Sequence, residues 1–240
     1  AWQQEGAIWY DRAAVTGTTL SFGIDRQLTA KAGQEPRIAA DGSGAVVVVW
    51  EDLRDPLINI RANRSTNAGA SWLADGVRVD NNVVNGDSTS PAVAVRPGGR
   101  VFVAWSDTSR GKQDIYVNYS DDSGKTWGKV SRRVDADKVG SASSYFPHVA
   151  VDPLGKNVYV AWEDYRTGPQ RDIYLGLSLD DGKTWNVPDY RIDETTAGKA
   201  DARSPFVVAA TSRVCVLWLD NRASQSSTGK NADVYASYLQ

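Results

Sequence analysis

Short apolar runs recur along the whole chain, and turn residues separate them in a repeating order. The first run of each unit directly follows a proline, at Pro36, Pro91, Pro147 and Pro205. A second run ends in a tryptophan, at Trp50, Trp105, Trp162 and Trp218. A third run contains Asp-Ile-Tyr or a variant of it, at 114–116, 172–174 and 233–235. Runs this short, rich in Val, Ile, Tyr and Trp, predict β-strands, and no segment has the apolar stripe of a helix.

An eight-residue phrase follows the third run in three units. Its clearest copy is Ser-Asp-Asp-Ser-Gly-Lys-Thr-Trp at 120–127, the second is at 178–185, and a weaker copy at 65–72 has Asn67 for Asp and Ser71 for Thr. A fourth run then ends in Arg-Val-Asp or Arg-Ile-Asp, at 78–80, 133–135 and 191–193. Four short strands per unit at this fixed period predict an all-β protein built from the four-stranded antiparallel blades of a β-propeller.

The phrase resembles the Asp-box, or bacterial neuraminidase repeat, of the sialidase superfamily. The resemblance implies a hairpin between the third and fourth strands of each blade, on the face away from the active site. It gives a structural role to Asn67, Gly69, Trp72, Asp122, Gly124, Trp127, Asp180, Gly182 and Trp185. The chemistry agrees, because an Asx side chain binds nearby amides in a tight turn and glycine supplies a positive φ. We expect the three tryptophans to be largely buried in the outer layer of their blades.

The repeats predict one propeller domain over residues 1–240, with about five blades. Complete blades are expected at about 28–80, 81–135 and 136–193, and partial blades at 1–27 and 194–240, with residues 16–20 as a decayed Asp-box. The alternative is a part of a six- or seven-bladed propeller. Because incomplete sheets expose backbone donors and acceptors, we expect a protein partner or an additional chain to contact residues 1–12 and 233–240. Alternatively, the two partial blades pair with each other.

Composition excludes some classes of partner. The formal net charge is −2, which gives no electrostatic basis for binding nucleic acid, and no apolar run reaches the length needed for membrane insertion. Cys215 is the only cysteine, so the chain has no internal disulfide. Together with the resemblance, these features favour a secreted, periplasmic or cell-surface location.

Aspartate and arginine recur after the tryptophan of the second run. The pairs are Asp52 and Arg54, Asp107 and Arg110, Asp164 and Arg166, and Asp220 and Arg222. Guanidinium groups suit a carboxylate ligand, but they also suit structural ion pairs with aspartate. The strict recurrence favours structural pairs, with Asp114, Asp172 and Asp233 on the neighbouring strands as further partners.

Catalysis is the least favoured function. The resemblance implies a tyrosine nucleophile with a supporting glutamate, an aspartate acid/base and three arginines. This chain has Pro36-Arg37-Ile38 instead of an Arg-Ile-Pro signature, and Glu51 and Glu163 occupy a single repeat position. We therefore expect a non-catalytic interaction module, with a glycan-binding module as the alternative and an active sialidase as the third hypothesis. If the chain is an enzyme, its candidate residues are Arg54, Arg110, Arg166, Asp164 and Tyr165.

Features that occur only once are candidates for binding, namely Tyr145 and Phe146 and the single histidine His148. A further candidate is the repeat arginine Arg222, which lies beside the long loop at 223–232. One histidine cannot build a metal site, and no cofactor is expected. The acidic loops at 80–87 and 193–201 leave calcium as an alternative to solvated loops.

Overall fold

The computed structural model describes residues 1–29, 32–81, 85–211, 213–222 and 232–239. Within these ranges the regular structure is entirely β-strand, as the apolar pattern predicts. The described residues accordingly contain no helix that could span a membrane.

The strands form successive antiparallel sheets, which we call blades 1 to 5. Blade 1 contains β1 (Trp2–Gln4), β2 (Ala7–Tyr10) and β5 (Arg26–Gln27), and a separate hairpin of β3 (Ala13–Thr16) and β4 (Thr19–Phe22) lies between β2 and β5. Blade 2 contains β6 (Gly33–Ala40), β7 (Val46–Asp52), β8 (Asn59–Ser65) and β9 (Val77–Arg78). Blade 3 contains β10 (Ser88–Arg96), β11 (Arg100–Asp107), β12 (Asp114–Ser120) and β13 (Arg132–Arg133). Blade 4 contains β14 (Ser144–Val151), β15 (Val158–Asp164), β16 (Asp172–Ser178) and β17 (Tyr190–Arg191), and blade 5 contains β18 (Ala202–Ala210), β19 (Arg213–Asp220) and β20 (Asp233–Leu239).

Successive blades pack face to face. The first strands β6, β10, β14 and β18 contact one another in order, and the second strand of each of blades 2 to 4 lies against the first strand of the next blade. The apolar cores therefore lie between blades, and in one of them Phe102 and Val117 of blade 3 pack with Val160 and Trp162 of blade 4. This arrangement, with first strands innermost, is that of a β-propeller.

A bulge interrupts the first strand of blades 2 to 5 at the residue before the recurring proline. Glu35, Ser90, Phe146 and Ser204 all have φ between 49° and 55° there. The backbone amide of Ser90 donates to Glu51 Oε1 at 2.7 Å, and that of Ser204 donates to Glu163 Oε1 at 2.7 Å. The repeated glutamate position thus joins a blade to a bulge of a neighbouring blade.

The eight-residue phrases form the turns between the third and fourth strands. Asp122 Oδ1 accepts from the amide of Thr126 at 2.8 Å, and Ser120 Oγ accepts from the amide of Gly124 at 2.8 Å. The copy at 178–185 makes both bonds with Asp180 and Ser178. In the weaker copy, Asn67 and Ser65 take the same roles toward Ser71 and Gly69. The amide substitution at Asn67 therefore preserves the turn.

Trp72, Trp127 and Trp185 are mostly but not fully buried, which agrees with the expectation. Each ring packs at the edge of a core between blades. The centres of these cores hold the tryptophans of the second strands instead, and Trp50, Trp105 and Trp162 are 0% exposed.

One expectation and one alternative for the partial blades were wrong. Residues 16–20 do not form a decayed Asp-box, because they connect β3 to β4 in a hairpin whose strand residues are all exposed. Among the described residues, the strands of blades 1 and 5 belong to separate sheets, so these two blades do not pair with each other.

Candidate functional site

A cavity of about 920 Å³ opens between blades 3 and 4. Lys112 and Asp137 line it from loops of blade 3, and Tyr145, Phe146 and Tyr165 line it from blade 4. A second cavity of about 440 Å³ lies among first-strand residues of four blades, and the two share Phe146, Glu163 and Arg171. The two spaces therefore meet beside the bulge of β14.

Three aromatic side chains form the wall of the larger cavity. The ring of Tyr145 lies 6.0 Å from that of Phe146 and 6.0 Å, edge-on, from that of Tyr165, measured between centroids. The other blades have Gln34, Glu35 and Leu53, or Thr89, Ser90 and Thr108, or Arg203, Ser204 and Asn221 at these repeat positions. The trio is therefore specific to blade 4, and the blade repeat does not require it.

Three of the repeat arginines, including Arg166 in the cavity wall, are held in ion pairs. Arg166 bonds Asp164 at 2.6 Å and Asp189 at 2.8 Å. Arg54 bonds Asp52 at 2.9 Å, and Arg222 bonds Asp220 at 2.6 Å while its guanidinium carbon lies 4.1 Å from the ring centroid of Tyr235. These three arginines pair as their recurrence predicts.

Arg110 departs from that prediction. Its side chain is exposed and forms no ion pair within the described part of the chain. Ser109 occupies the position that the arginine has in other blades. The amide of Ser109 donates to Asp107 at 2.9 Å, and the equivalent bond in blade 4 joins the amide of Arg166 to Asp164 at 2.7 Å. The longer spacing from Asp107 to Arg110 puts the arginine one residue beyond the position that faces the aspartate.

The predicted partners on the third strands were also assigned wrongly. Asp114 and Asp172 pair with arginines of the fourth strands, Arg133 at 3.0 Å and Arg191 at 3.3 Å, rather than with Arg110 and Arg166. The fourth strand lies next to the third in the sheet, so its arginine reaches the buried carboxylate first.

Two carboxylates line the larger cavity, and sequence reasoning missed Asp137. Burial raises the pKa of Asp137, although Arg166 and Arg133 oppose the shift. Burial also raises the pKa of Glu163, against the amide of Ser204 and the guanidinium of Arg171, which bonds Glu163 at 3.0 Å. The sequence does mark Asp137 as unusual. It ends the segment Arg-Val-Asp-Ala-Asp at 133–137, and the equivalent residue in blade 4 is Thr195.

Asp137 belongs to an acidic cluster with Asp114 and Asp135, and all three carboxylates surround Arg133. Burial raises the pKa of Asp135 to about 8. Of the loops considered for calcium, 80–87 lies partly outside the described residues, and Asp193 in the other is paired with Arg191 at 3.0 Å. Asp114, Asp137 and Asp193 are thus each paired with a guanidinium group.

The single histidine, His148, lines the smaller cavity. The ring of His148 lies 4.2 Å from that of Phe206, and its Nδ1 accepts from the amide of Val207 at 3.3 Å. Burial, followed by the charge of Arg37, lowers the pKa of His148 to about 4, so the ring is neutral at pH 7. The candidate loop at 223–232 lies outside the described residues except for Ala232.

No family model and no curated protein match this chain. Solved structures do share its fold. An α-L-arabinanase from Penicillium chrysogenum, complexed with arabinobiose, is 16% identical with a TM-score of 0.59, over 87% of this chain and 63% of that one. An α-L-arabinofuranosidase from Fusarium graminearum, in complex with an iminosugar inhibitor, is 16% identical with a TM-score of 0.62, over 87% and 62% of the two chains. A Hadza microbial sialidase is 16% identical with a TM-score of 0.62, over 86% of this chain and 44% of that one.

The chain therefore spans less than two thirds of the length of each of these structures. At this identity the likeness establishes the fold alone. The chain has a β-propeller fold that glycan-processing enzymes also use.

Proposed function

We propose that this protein is a non-catalytic, carbohydrate-binding β-propeller whose ligand lies in the cavity of about 920 Å³. The observation that carries the proposal is the aromatic trio of Tyr145, Phe146 and Tyr165, which lines this cavity and has no counterpart at the repeat positions of blades 2, 3 and 5. A sugar ring has apolar C–H faces and a rim of hydroxyl groups. Aromatic side chains suit the faces, and a few polar groups suit the rim.

The polar lining fits a ligand rich in hydroxyl groups. Ser141, Ser143 and Thr167 lie in the cavity wall beside Lys112 and Asp137. The two arginines of the wall are already neutralised, Arg166 by Asp164 and Asp189, and Arg171 by Glu163 and by Asp201 at 2.6 Å. This supports recognition of neutral sugar units over recognition of a carboxylate by free guanidinium groups.

We further propose that the eight-residue turns are Asp-boxes and that the protein acts outside the cytoplasm, as a secreted, periplasmic or cell-surface module. The turn hydrogen bonds at Asp122 and Asp180 support the first part. The use of the same fold by an arabinanase and a sialidase supports a carbohydrate-related role. Fractionation of the source cells with an antibody against the chain tests the location.

Glycoside hydrolysis is the second candidate function. Asp137 and Glu163 both line the cavity, and both have raised pKa values, which a general acid requires. Paired carboxylates are also the usual machinery of glycoside hydrolases. Against this, both oxygens of Glu163 are engaged, one by the amide of Ser204 and the other by Arg171.

Binding is tested with a glycan array on the full chain, followed by calorimetry with arabinan oligosaccharides and sialyllactose. We expect Tyr165→Ala and Tyr145→Ala to weaken the binding of a neutral oligosaccharide by about tenfold or more, as the loss of an anchor in a pocket does. Leu53→Ala is the matched control, because Leu53 holds the repeat position of Tyr165 in blade 2 and is 41% exposed. Binding that is unaffected by both tyrosine variants contradicts the proposal.

Activity is tested with fluorogenic arabinofuranosides and sialosides. Turnover that disappears in Asp137→Asn while oligosaccharide binding persists favours the hydrolase function over the binding function. Absence of turnover together with tyrosine-dependent binding supports the proposal.

A further inference from the structure

The glutamate that joins neighbouring blades is missing from one interface. The position after the second-strand tryptophan holds Glu51 in blade 2 and Glu163 in blade 4, but Ser106 in blade 3. Each glutamate accepts from the bulge amide of the next blade, Ser90 or Ser204, at 2.7 Å. The interface between blades 3 and 4 therefore lacks the carboxylate that the interfaces on either side of it have.

Ser106 faces blade 4 but does not reach its bulge. Side chains alternate along a strand, and Ala104 and Phe102 on the same face as Ser106 pack in the core shared with blade 4. Ser106 is 0% exposed, and its Oγ has no hydrogen-bond partner in the described part of the chain. Serine is two atoms shorter than glutamate, which explains why its hydroxyl cannot replace the carboxylate.

The bulge of blade 4 consequently keeps an amide that its counterparts use. Phe146 has a φ of 49°, close to the 55° of Ser90 and the 53° of Ser204, and the strand pairing is interrupted at the same point in all three blades. No side chain that the structure describes accepts from the amide of Phe146. Phe146 lines both cavities, so this N–H donor belongs to a residue of the wall of the proposed carbohydrate site.

The surroundings favour a neutral acceptor over a carboxylate at this amide. Arg171 holds the second oxygen of Glu163 at 3.0 Å, and blade 3 has the uncharged Gln113 at the position of Arg171. Asp137 and Glu163 already line the larger cavity, so a ligand carboxylate would meet like charges there. A sugar hydroxyl accepts a hydrogen bond without adding a charge.

We propose that a hydroxyl group of a neutral sugar accepts from the amide of Phe146, in the place that a glutamate carboxylate takes in the flanking interfaces. This rests on the proposed carbohydrate-binding function and adds one fixed contact to it. The ring of Phe146 lies 6.0 Å from that of Tyr145, so the same residue supplies an aromatic surface and a polar contact. Together they orient the sugar ring in the cavity.

Amide hydrogen exchange of the full chain, followed residue by residue by NMR, tests the amide without any ligand. Ser90 and Ser204 are controls within the same molecule, because their bulge amides donate to glutamates. We expect the amide of Phe146 to exchange about tenfold faster than either control, or more. Equal protection of the three amides overturns the inference, since the amide of Phe146 would then have a partner within the protein.

The ligand contact is tested with an arabinan oligosaccharide, or the neutral glycan that the array identifies, and with sialyllactose, because Lys112 in the cavity wall could attract a carboxylate. We expect the saturating neutral glycan to slow exchange at Phe146 about tenfold and to leave Ser90 and Ser204 unchanged. Protection by sialyllactose alone overturns the inference and assigns the amide to a carboxylate. Tyrosine-dependent binding of the neutral glycan without protection of Phe146 overturns the inference but not the proposed function. Absence of binding to any neutral glycan overturns both.

Restoring the glutamate gives a mutational test. Ser106→Glu is expected to protect the amide of Phe146 without ligand and to weaken binding of the neutral glycan about tenfold or more, because the glutamate takes the place of the sugar hydroxyl. Leu219→Glu is the matched control, since it adds the same side chain at the same repeat position of blade 5 outside the walls of both cavities.

Thermal unfolding confirms that both variants are folded. Ser106→Gln replaces Ser106→Glu if the latter is not, because its amide oxygen also accepts a hydrogen bond. A variant at Ser106 that protects Phe146 yet binds the glycan as tightly as the wild type overturns the inference, as does an equal loss of binding in Leu219→Glu.

Discussion

The guanidinium carbon of Arg166 lies 3.9 Å from the ring centroid of Tyr174, while its nitrogens bond Asp164 and Asp189. Tyr174 in turn stacks on Trp162, with ring centroids 6.3 Å apart. Arg222 repeats the arrangement on Tyr235 in blade 5. The repeat arginines of blades 4 and 5 are thus part of the packing of their blades, and Arg166 and Arg222 are not free to bind a ligand.

Replacing Arg166 by methionine is expected to lower the free energy of unfolding by about 3–5 kcal/mol, because the buried carboxylates of Asp164 and Asp189 lose their counterion. Arg110→Met is the control, and its exposed side chain predicts a change within about 0.5 kcal/mol. Urea denaturation followed by tryptophan fluorescence measures both. Similar losses for the two variants would show that the ion pairs of Arg166 do not stabilise the fold.

The core between blades 2 and 3 allows a second comparison. Trp105 is 0% exposed in this core, and the less completely buried Trp127 packs at its edge. Trp105→Ala is expected to cost about 3–5 kcal/mol and Trp127→Ala roughly half as much, since less of its surface leaves water on folding. Equal costs in chemical denaturation contradict the burial of these two rings.

Gly182 is expected to be less tolerant of a side chain than Gly42. Both have positive φ, 75° and 78°, so alanine is strained at either position. A Cβ at Gly182 would lie 2.9 Å from Cε1 of Phe102, whereas nothing lies within 4 Å of one at Gly42. Gly42→Ala is therefore expected to cost about 1–2 kcal/mol from the backbone alone, and Gly182→Ala a further 1–3 kcal/mol or so from overpacking. Thermal unfolding separates the two effects, and equal shifts for both variants contradict the contact between blades 3 and 4.

Recurrence in the sequence predicts the features that every blade needs. The position of Asp122 and Gly124 in the turn follows from the eight-residue phrase, because the side-chain and backbone bonds that close the turn are local. The pairing of Arg166 follows from a spacing that keeps the arginine at the second residue after Asp164. Contacts between residues close in sequence can therefore be predicted from a single sequence.

The candidate site is harder to predict from the sequence, because segments distant in the chain form it. Asp137 reaches the cavity beside Tyr165, yet no spacing relates these residues in the sequence. The sequence also does not show that Arg110 lies one residue beyond the position that pairs with Asp107. The patterns Asp-x-Arg and Asp-x-x-Arg both allow an ion pair, and only the backbone shows that the amide of Ser109 faces Asp107. The aromatic pair Tyr145 and Phe146 was detectable only because it breaks the repeat.

Asp135 predicts a dependence of stability on pH. The Oγ of Ser144 lies 3.1 Å from Oδ2 of Asp135 and 3.1 Å from Oδ2 of Asp164, and one hydroxyl proton can serve only one of them. A proton on Asp135 completes the chain of bonds, which agrees with the burial that raises the pKa of Asp135 to about 8. The unfolded chain has a carboxyl pKa of about 4.

Between these pKa values the folded state binds a proton that the unfolded state does not. The free energy of unfolding therefore falls as pH rises from about 4 to about 8, by up to about 1.4 kcal/mol per pH unit from this group. Asp135→Asn stays neutral over the range and lacks this loss, so the stability of the wild type relative to the variant is expected to fall between pH 5 and pH 8.

Asp122→Asn is the control for the same measurement. Slight burial raises the pKa of Asp122, but hydrogen bonds from Thr126 outweigh it and hold the pKa at about 2. This carboxylate contributes stability above about pH 4 that is lost only as pH falls toward 2. The difference between the wild type and Asp122→Asn should then be constant from pH 5 to pH 8 in urea denaturation. A constant difference for Asp135→Asn as well would mean that Asp135 is ionised in the folded protein, with Arg133 as its counterion.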